Sequence, residues 1–486
     1  MRIVFVTSEM APFAKTGGLA DVCGSLPFEL SQLGHTVKVI LPFYKMIKDK
    51  NLKLEHKCEN FTIPLGHDSY KVRVLSYQAR HDVEVLFVDV PKFFDREDLY
   101  GTAEGDYPDS PERFSLFQKS CFVLLKKIDF APDILHCHDW QTGLIPVYTK
   151  VLYKDVAFFQ DTKTVFTIHN LAYQGLFNVE TLPVTGLSWD FFTIDKLEFF
   201  GKISYMKGAL VYADVITTVS QRYSEEIQTE EYGCGLEGVL QKRKDDLCGI
   251  LNGIDNAEWN PETDKDLNIN YKPGDFNRKI ANKGILQKEN GLEVDPNIPL
   301  IGIITRLADQ KGLDILAPIM EKLAKKDLQF VLLGTGTAKY NDLFKKMGKK
   351  YSGKFGINIL FDPKMSKRIY AGADIFLMPS HYEPCGLGQL IALRYGTVPL
   401  VRATGGLADT ITDFNPASGV GNGFVFSDYT SEALLSTIDR TINVFKDKKL
   451  WRKVIENGAK SDFSWKVSAR KYIDLYRNTV QKKGFA

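Results

Sequence analysis

The stretch Pro379–Ile411, PSHYEPCGLGQLIALRYGTVPLVRATGGLADTI, predicts a βαβ unit with a ligand-binding edge. The apolar run 375–378 just before it predicts a buried parallel strand. Two prolines then break the chain, and a helix is expected from Gly386 to Tyr395. Glu383 would therefore lie on the turn at the carboxyl end of the strand, where open α/β sheets bind their ligands.

The next predicted strand, Val398 to Val401, ends in a second turn, Thr404-Gly405-Gly406-Leu407. Glycines at a strand-to-helix turn let backbone N–H groups approach an anion, so this turn is a candidate phosphate cradle. Glycine-rich turns are also common connectors, and either turn alone would more often be structural. Two such turns at adjacent strand ends, one carrying an acid, favour a functional site.

The segments EPCGL and ALRYGTVPLVRATGGLADT resemble the bacterial glycogen synthase and plant starch synthase family, and the likeness extends over nearly the whole chain. That family transfers glucose from a sugar nucleotide to a growing α-1,4-glucan. The resemblance implies the GT-B architecture, in which two Rossmann-like domains face each other across a cleft and the last helix crosses back to the first domain. The alternating strand and helix pattern likewise predicts an α/β fold.

The length, 486 residues, exceeds what one hydrophobic core usually holds, so at least two domains are expected. We predict an N-terminal acceptor domain over 1–253, a nucleotide-sugar domain over 254–464 and a terminal helix over 465–486. The crossing between the domains is expected at the turn-dense segment 252–261, NGIDNAEWNP.

Composition excludes several classes of protein. Hydrophobic residues make up 44% and charged residues 25%, with a formal net charge of only +2 and no basic block, which argues against nucleic acid as a partner. No segment predicts a membrane span, and the chain enters a strand without a secretory or transit-like tract, so a cytoplasmic enzyme is expected. The seven scattered cysteines form no CxxC pair and predict neither disulfides nor a zinc site.

The first predicted strand, Arg2 to Ser8, is followed by KTGGLAD at 15–21 and a helix predicted over 20–33. A lysine just before a Gly-Gly helix start concentrates positive potential at one point. The segment matches the family's KxGGL motif, which implies that Lys15 and Gly18 contact the sugar nucleotide. It is not a GxGxxG turn, so a dinucleotide oxidoreductase is disfavoured.

A strand over 133–138 ends in His136-Cys137-His138-Asp139. Two histidines and an acid suggest a metal site, but both histidines would share one strand face with no second ligand pair, so no metal is expected. The motif HDWQTG resembles the family's, which implies that Asp139 lines the acceptor cleft.

The strand 163–168 ends in His169-Asn170. A lone histidine at a strand end is more often a packed core residue than a catalyst. The resemblance of TIHN and YQG to the family implies instead that His169 meets the donor glucose, with Asn170 on the acceptor side. The family's NGID motif likewise implies that Asn252 lies near the glucosyl group.

Arg306 and Lys311 flank a turn after a strand predicted over 298–305, so both cations can converge on one anion. Taken alone, such residues are usually solvated charge; their match to the family's RLxxQKGxD motif implies that they hold the pyrophosphate. Phe361, at the end of a strand predicted over 357–361, could stack a purine or close the core, and both interpretations stay open.

In the reaction implied by the resemblance, the C1–O bond to the diphosphate breaks through an oxocarbenium-like state. The protein must neutralise the leaving pyrophosphate and stabilise a cationic sugar. Because two cations can serve the first task, no metal or cofactor is required. The predicted catalytic residues are His169, Glu383, Arg306 and Lys311; the donor-binding residues are Lys15, Gly18, Asn252, Phe361, Cys385, Gly386, Leu387, Thr404, Gly405 and Gly406; the acceptor-binding residues are Asp139 and Asn170.

The predicted function is a glycogen (starch) synthase that transfers glucose from ADP-glucose to the non-reducing end of an α-1,4-glucan with retention of configuration. A related retaining transferase that uses UDP-glucose or another acceptor is the first alternative. The second is a catalytically silent glucan-binding protein, disfavoured because the residues that match the family's motifs are present. Many related transferases carry a second glutamate eight residues after the first; Ile391 occupies that position here, which leaves ribose recognition unassigned.

Overall fold

The structure, a computed structural model, describes residues 1–102 and 104–481. The chain divides into two compact units. The first comprises Met1–Val219, Ser224–Leu251 and the helix Trp465–Gln481, and the second comprises Ser220–Tyr223 and Asn252–Ser464. Among the described residues, no helix is both long and apolar enough to cross a membrane.

The first unit is built on a ten-stranded sheet and also contains a three-stranded and a two-stranded sheet. Its central strands are apolar and buried on both faces, as expected of parallel strands covered by helices. The strands up to residue 249 are β1 (Arg2–Val6), β2 (Thr36–Pro42), β3 (Glu55–His56), β4 (Phe61–Leu65), β5 (Asp68–Gln78), β6 (Glu84–Asp89), β7 (Gly101–Thr102), β8 (Gly105–Asp106), β9 (Ile134–His138), β10 (Lys163–Ile168), β11 (Leu176–Asn178), β12 (Glu198–Phe199), β13 (Lys202–Ser204), β14 (Val215–Thr218) and β15 (Leu247–Gly249).

The strand order of this sheet is β15-β14-β10-β9-β1-β2-β6-β5-β3, with β4 paired to β5. The strands from β15 to β6 run parallel, and β5, β3 and β4 add antiparallel pairs at one edge. The order reverses direction between β1 and β9. The helices before residue 250 are α1 (Gly18–Cys23), α2 (Leu26–Gln32), α3 (Lys45–Lys48), α4 (Pro91–Phe94), α5 (Ser110–Lys127), α6 (Leu144–Val151), α7 (Leu182–Thr185), α8 (Tyr205–Tyr212), α9 (Gln221–Glu226) and α10 (Glu237–Lys242).

The second unit is a six-stranded parallel sheet in the order β18-β17-β16-β19-β20-β21. Apolar side chains of the strands pack with the surrounding helices into its core. The elements are β16 (Leu300–Ile304), β17 (Gln329–Leu333), β18 (Phe355–Asn358), β19 (Ile375–Met378), β20 (Val398–Arg402), β21 (Phe424–Phe426), α11 (Phe276–Glu289), α12 (Leu313–Leu316), α13 (Met320–Ala324), α14 (Ala338–Lys350), α15 (Pro363–Gly372), α16 (Gly388–Arg394), α17 (Gly405–Thr410), α18 (Ser431–Lys446) and α19 (Lys448–Ala459).

The terminal helix, α20 (Trp465–Gln481), packs on the first unit, as predicted. It buries one face at helical spacing, including Tyr472 and Tyr476. The hydroxyl of Tyr476 lies 2.7 Å from Nδ1 of His136, and the hydroxyl of Ser468 donates to the carbonyl of Leu251 at 2.6 Å. The apolar spacing that predicted the helix therefore marks its contact face.

Two predicted elements differ from the structure. The single helix expected over 20–33 is two helices, α1 and α2, because the backbone leaves helical geometry at Ser25, where φ is −132° and ψ is −53°. The strand expected over 357–361 is β18 at Phe355–Asn358. Phe361 consequently lies beyond the strand and is 86% exposed, which excludes the core-closing interpretation.

Candidate functional site

Predicted site residues follow the strands at the reversal point of each sheet. In the second unit the order reverses between β16 and β19; Arg306 and Lys311 follow β16, and Glu383 follows β19. In the first unit it reverses between β1 and β9; Lys15 follows β1, and Asp139 follows β9. Open α/β sheets bind ligands at such reversal points, so each unit carries its candidate residues where the topology favours a site.

Glu383 is buried and held by two partners. The Lys311 ammonium lies 3.0 Å from its Oε1 and 2.7 Å from its Oε2, and the Ser380 hydroxyl donates to Oε2 at 2.9 Å. Gly312 makes this approach possible, because its φ is +71° and a Cβ there would be 1.9 Å from the carbonyl oxygen of Pro379. The two loops are therefore locked together with a cation and an anion in contact.

Arg306 is exposed and uses little of its hydrogen-bonding capacity. One guanidinium nitrogen donates to Oε1 of Gln310 at 3.3 Å. The Gln310 carbonyl in turn accepts from the backbone N–H of His381 at 2.9 Å, which ties this loop to the one that carries Glu383. Arg306 thus lies on the same loop as Lys311, and among the described residues its guanidinium group has this one hydrogen-bond partner.

The loop after β20, here called the third loop, contains Gly405 and Gly406, which allow it to pack closely against the loop of Glu383. A Cβ on Gly405, whose φ is +43°, would be 2.0 Å from the carbonyl oxygen of Glu383, and one on Gly406 would be 2.0 Å from that of Cys385. The N–H of Gly406 donates to the Glu383 carbonyl at 3.1 Å, and that of Thr404 donates to Arg402 at 3.0 Å. These two amides are used within the protein, so the structure gives this turn a supporting role under Glu383.

The amides expected at Gly386 and Leu387 differ from those of the third loop. Neither donates a hydrogen bond within the described part of the chain, and both precede the first turn of α16. Gly386 has a φ of +71°. Cys385 is buried, and its thiol accepts from the backbone of Asn252, whose own side-chain oxygen is buried without a hydrogen-bond partner among the described residues. This turn therefore retains donors for an anion.

In the first unit the segment after β1 is fixed by Glu9, which the sequence analysis did not single out. The Glu9 carboxylate accepts from the N–H of Thr16 at 2.6 Å and from that of Gly17 at 3.2 Å, and the Tyr100 hydroxyl donates to it at 2.7 Å. Lys15 pairs with Asp21 at 2.5 Å and is half exposed. A Cβ on Gly18 would meet nothing within 4 Å, so this position borders open space.

His169 and Asp139 are brought together at the ends of β10 and β9. Oδ1 of Asp139 accepts from the backbone N–H of His169 at 2.8 Å, and the Asn170 backbone also donates to this carboxyl group. Burial raises the pKa of Asp139 to about 7 despite these bonds. Asp139 has φ 56° and ψ 178°, a region that favours glycine, so backbone strain marks this turn. Its carboxyl group holds the His169 loop through hydrogen bonds from the backbone.

The remaining predicted residues have local contacts. The side-chain oxygen of Asn170 accepts from the N–H of Ala172 at 3.1 Å, and Phe361 projects into solvent. His136 and His138 share one face of β9, with ring centroids 4.1 Å apart. Among the described residues, no group of three histidine, cysteine or acidic side chains is placed to hold a metal ion.

Comparison with known proteins identifies similar sequences and structures among glycosyltransferases. A profile described as the starch synthase catalytic domain matches residues 2–242, and one described as glycosyl transferases group 1 matches 285–461. The chain is 49% identical to a glycogen synthase of Geotalea daltonii over the full length of both, and 47% identical to glycogen synthase 2 of Geobacter sulfurreducens over 98% of each. The catalytic domain of starch synthase IV from Arabidopsis thaliana, solved with ADP and acarbose, superposes with a TM-score of 0.91 at 33% identity over 99% of both chains.

Two Rossmann-like units, each with polar loops at its reversal point, define a glycosyltransferase of the GT-B fold class, as predicted. The comparisons narrow that class. The chain belongs to the glycogen and starch synthase family, and the predicted enzyme class is confirmed.

Proposed function

We propose that the protein transfers glucose from ADP-glucose to the non-reducing end of an α-1,4-glucan, with retention of configuration at C1. Family membership supports a nucleotide-sugar donor and a glucan acceptor. The solved starch synthase IV, which was bound to ADP, favours an adenine nucleotide. The observation that carries the proposal is the convergence of two cations and one carboxylate at the β16/β19 reversal point.

The leaving diphosphate gains negative charge as the C1–O bond breaks, so it needs preorganised positive partners. Within the described part of the chain, Arg306 has guanidinium donors without a partner and the amides of Gly386 and Leu387 donate no hydrogen bond, while Lys311 lies on the loop of Arg306. Two loops of one unit thus present donors of the right sign. Because these are permanent charges and dipoles, the step needs no metal ion.

The glucosyl group becomes cationic as the leaving group departs, and it requires neutral or negative neighbours. Glu383 supplies a carboxylate that Ser380 and Lys311 hold in one orientation. Burial lowers the pKa of His169 to about 3, so its imidazole is neutral at physiological pH and does not repel a cationic sugar. We assign these two residues to the glucosyl group, with Lys15, Gly18 and Asn252 as further donor contacts.

Acceptor binding is assigned to the turn after β10, with Asn170 as the contact residue. Asp139 was predicted to line the acceptor site. Its carboxyl group accepts two backbone N–H groups of the His169 loop, so we propose that it acts on the acceptor through the shape of that loop. Phe361, exposed beyond β18, is proposed to stack on the adenine base.

The test is incorporation of labelled glucose into glycogen from ADP-glucose and UDP-glucose in parallel, with digestion of the product by an α-1,4-specific amylase. We expect transfer from ADP-glucose to dominate and the label to be released by the amylase. Preference for UDP-glucose, or a product that resists the amylase, would favour a related transferase. Binding of glycogen without turnover of either donor would indicate a silent glucan-binding protein.

A further inference from the structure

His138 contacts the side chain of His169 directly. Nδ1 of His138 lies 3.0 Å from Nε2 of His169, and both residues belong to the first unit. The His138 ring is fully buried, stacked on Phe5 at 5.4 Å with an interplanar angle of 15°, and 4.1 Å from the ring of His136. These two ring contacts restrict the orientation of the buried His138 ring, and with it the contact to His169.

This contact involves two neutral rings. Burial lowers the pKa of His138 well below its ordinary value, and lowers that of His169 to about 3. Each imidazole therefore carries a single N–H near pH 7. Only two arrangements are compatible with one hydrogen bond: either His138 donates from Nδ1, or His169 donates from Nε2.

The other nitrogen of His138 decides between these arrangements. Nε2 of His138 is buried and has no hydrogen-bond partner among the described residues. If His169 donated, the His138 proton would have to be on Nε2, as a buried N–H without an acceptor. If His138 donates, Nε2 is only an unused lone pair. Buried N–H groups without partners are rarer than under-used acceptors, so His138 is the donor.

We propose that His138 is a positioning residue that fixes the tautomer of His169, so that His169 carries its proton on Nδ1. That nitrogen makes no hydrogen bond within the described part of the chain, and it is the one left for a ligand. His169 then presents a neutral N–H donor, suited to a sugar hydroxyl or ring oxygen, without a positive charge beside a cationic glucosyl group. The catalytic consequence rests on the proposed function, whereas the tautomer does not.

The tautomer is measured on the ligand-free protein by long-range ¹H–¹⁵N correlation after labelling of histidine. His169→Gln assigns the signals by their loss. We expect Nδ1 of His169 to be protonated and its Nε2 to be unprotonated. His138 should likewise carry its proton on Nδ1 and none on Nε2. A proton on Nε2 of His169 would overturn the inference whatever the enzyme transfers, and inactivity alone would count only against the proposed function.

Two substitutions separate tautomer control from packing. His138→Asn retains a donor at the position of Nδ1, whereas His138→Asp offers an acceptor of nearly the same shape and draws the proton of His169 to Nε2. We expect His138→Asn to retain most of kcat and His138→Asp to lose roughly 10- to 100-fold, with KM for glycogen little changed. His67→Asn is the control for loss of one histidine, since His67 is exposed and belongs to the same unit.

That control should leave the His169 signals unchanged. His138→Asp could carry the reversed tautomer of His169 and still be as active as His138→Asn. That result would overturn the inference that the tautomer of His169 matters for catalysis. If the aspartate variant does not fold, the spectrum of the unmodified protein still decides which nitrogen carries the proton.

Discussion

The ammonium of Lys311 lies within 3.0 Å of both carboxylate oxygens of Glu383. The two side chains are only 18% and 9% exposed, and the Ser380 hydroxyl shares the same carboxylate. A lysine held in this way is already in place before a diphosphate binds, so little reorganisation is required when negative charge develops. The pair also holds the Glu383 carboxylate in one orientation beside the position we assign to the glucosyl group.

Lys311→Ala and Arg306→Ala should each lower kcat/KM for ADP-glucose by roughly 10²–10³-fold, because each removes a preorganised positive charge from the leaving diphosphate. Steady-state kinetics with a glycogen primer measures the effect, and circular dichroism checks the fold. Lys339→Ala is the matched control: that lysine is 68% exposed and pairs only loosely with Asp309, at 3.5 Å. A folded Lys311→Ala enzyme with the rate of the control would show that the loop has another role.

Gly405→Ala should reduce activity far more than Gly353→Ala. Both glycines have positive φ, +43° and +85°, so both substitutions introduce backbone strain of about 1 kcal/mol. Only at Gly405 would the new Cβ overlap another segment, 2.0 Å from the carbonyl oxygen of Glu383, whereas Gly353 faces open space. We expect both proteins to fold and only Gly405→Ala to lose most of its kcat. Equal kinetics for the pair would contradict the supporting role of this loop.

The sequence predicted the parts of the site that depend on local pattern. Apolar runs and the glycines after them located the ends of β16, β19 and β20, and topology then placed Arg306, Lys311 and Glu383 together. It missed contacts between segments distant in the chain, such as that of Glu9 with Tyr100. His138 was noticed, but only as a possible metal ligand, because strand alternation shows that two side chains share a face and not what that face touches.

Glucan elongation should survive removal of divalent cations. The two positive charges at Arg306 and Lys311, with the open amides of Gly386 and Leu387, offer the leaving group the neutralisation that a metal would otherwise supply. Activity measured after dialysis against excess EDTA should equal that of the untreated enzyme. A loss that Mg²⁺ or Mn²⁺ specifically restores would disprove the assignment of this role to the side chains.

Asp139→Asn should become more stable relative to the unmodified protein as pH rises. Burial raises the pKa of Asp139 from 3.8 to about 7 in the folded state. Between about pH 4 and 7 the folded chain therefore holds a proton that the unfolded chain has released, so folding weakens as pH rises and levels off above 7. A shift of this size corresponds to at most about 4 kcal/mol. Asparagine can still accept the N–H of His169 at every pH. The difference in free energy of unfolding between the two proteins therefore reports the titration of the carboxyl group alone.

Urea unfolding of both proteins from pH 4 to 9 measures this difference, and carboxyl ¹³C shifts report the titration of Asp139 directly. Asp190→Asn, at an exposed position outside the His169 loop, is the matched control for loss of one acidic group. A constant free-energy difference between Asp139→Asn and the unmodified protein across this range would mean that the carboxyl group is ionised in the folded state. It would then carry a negative charge where it accepts the backbone N–H of His169, and the raised pKa of Asp139 would be wrong.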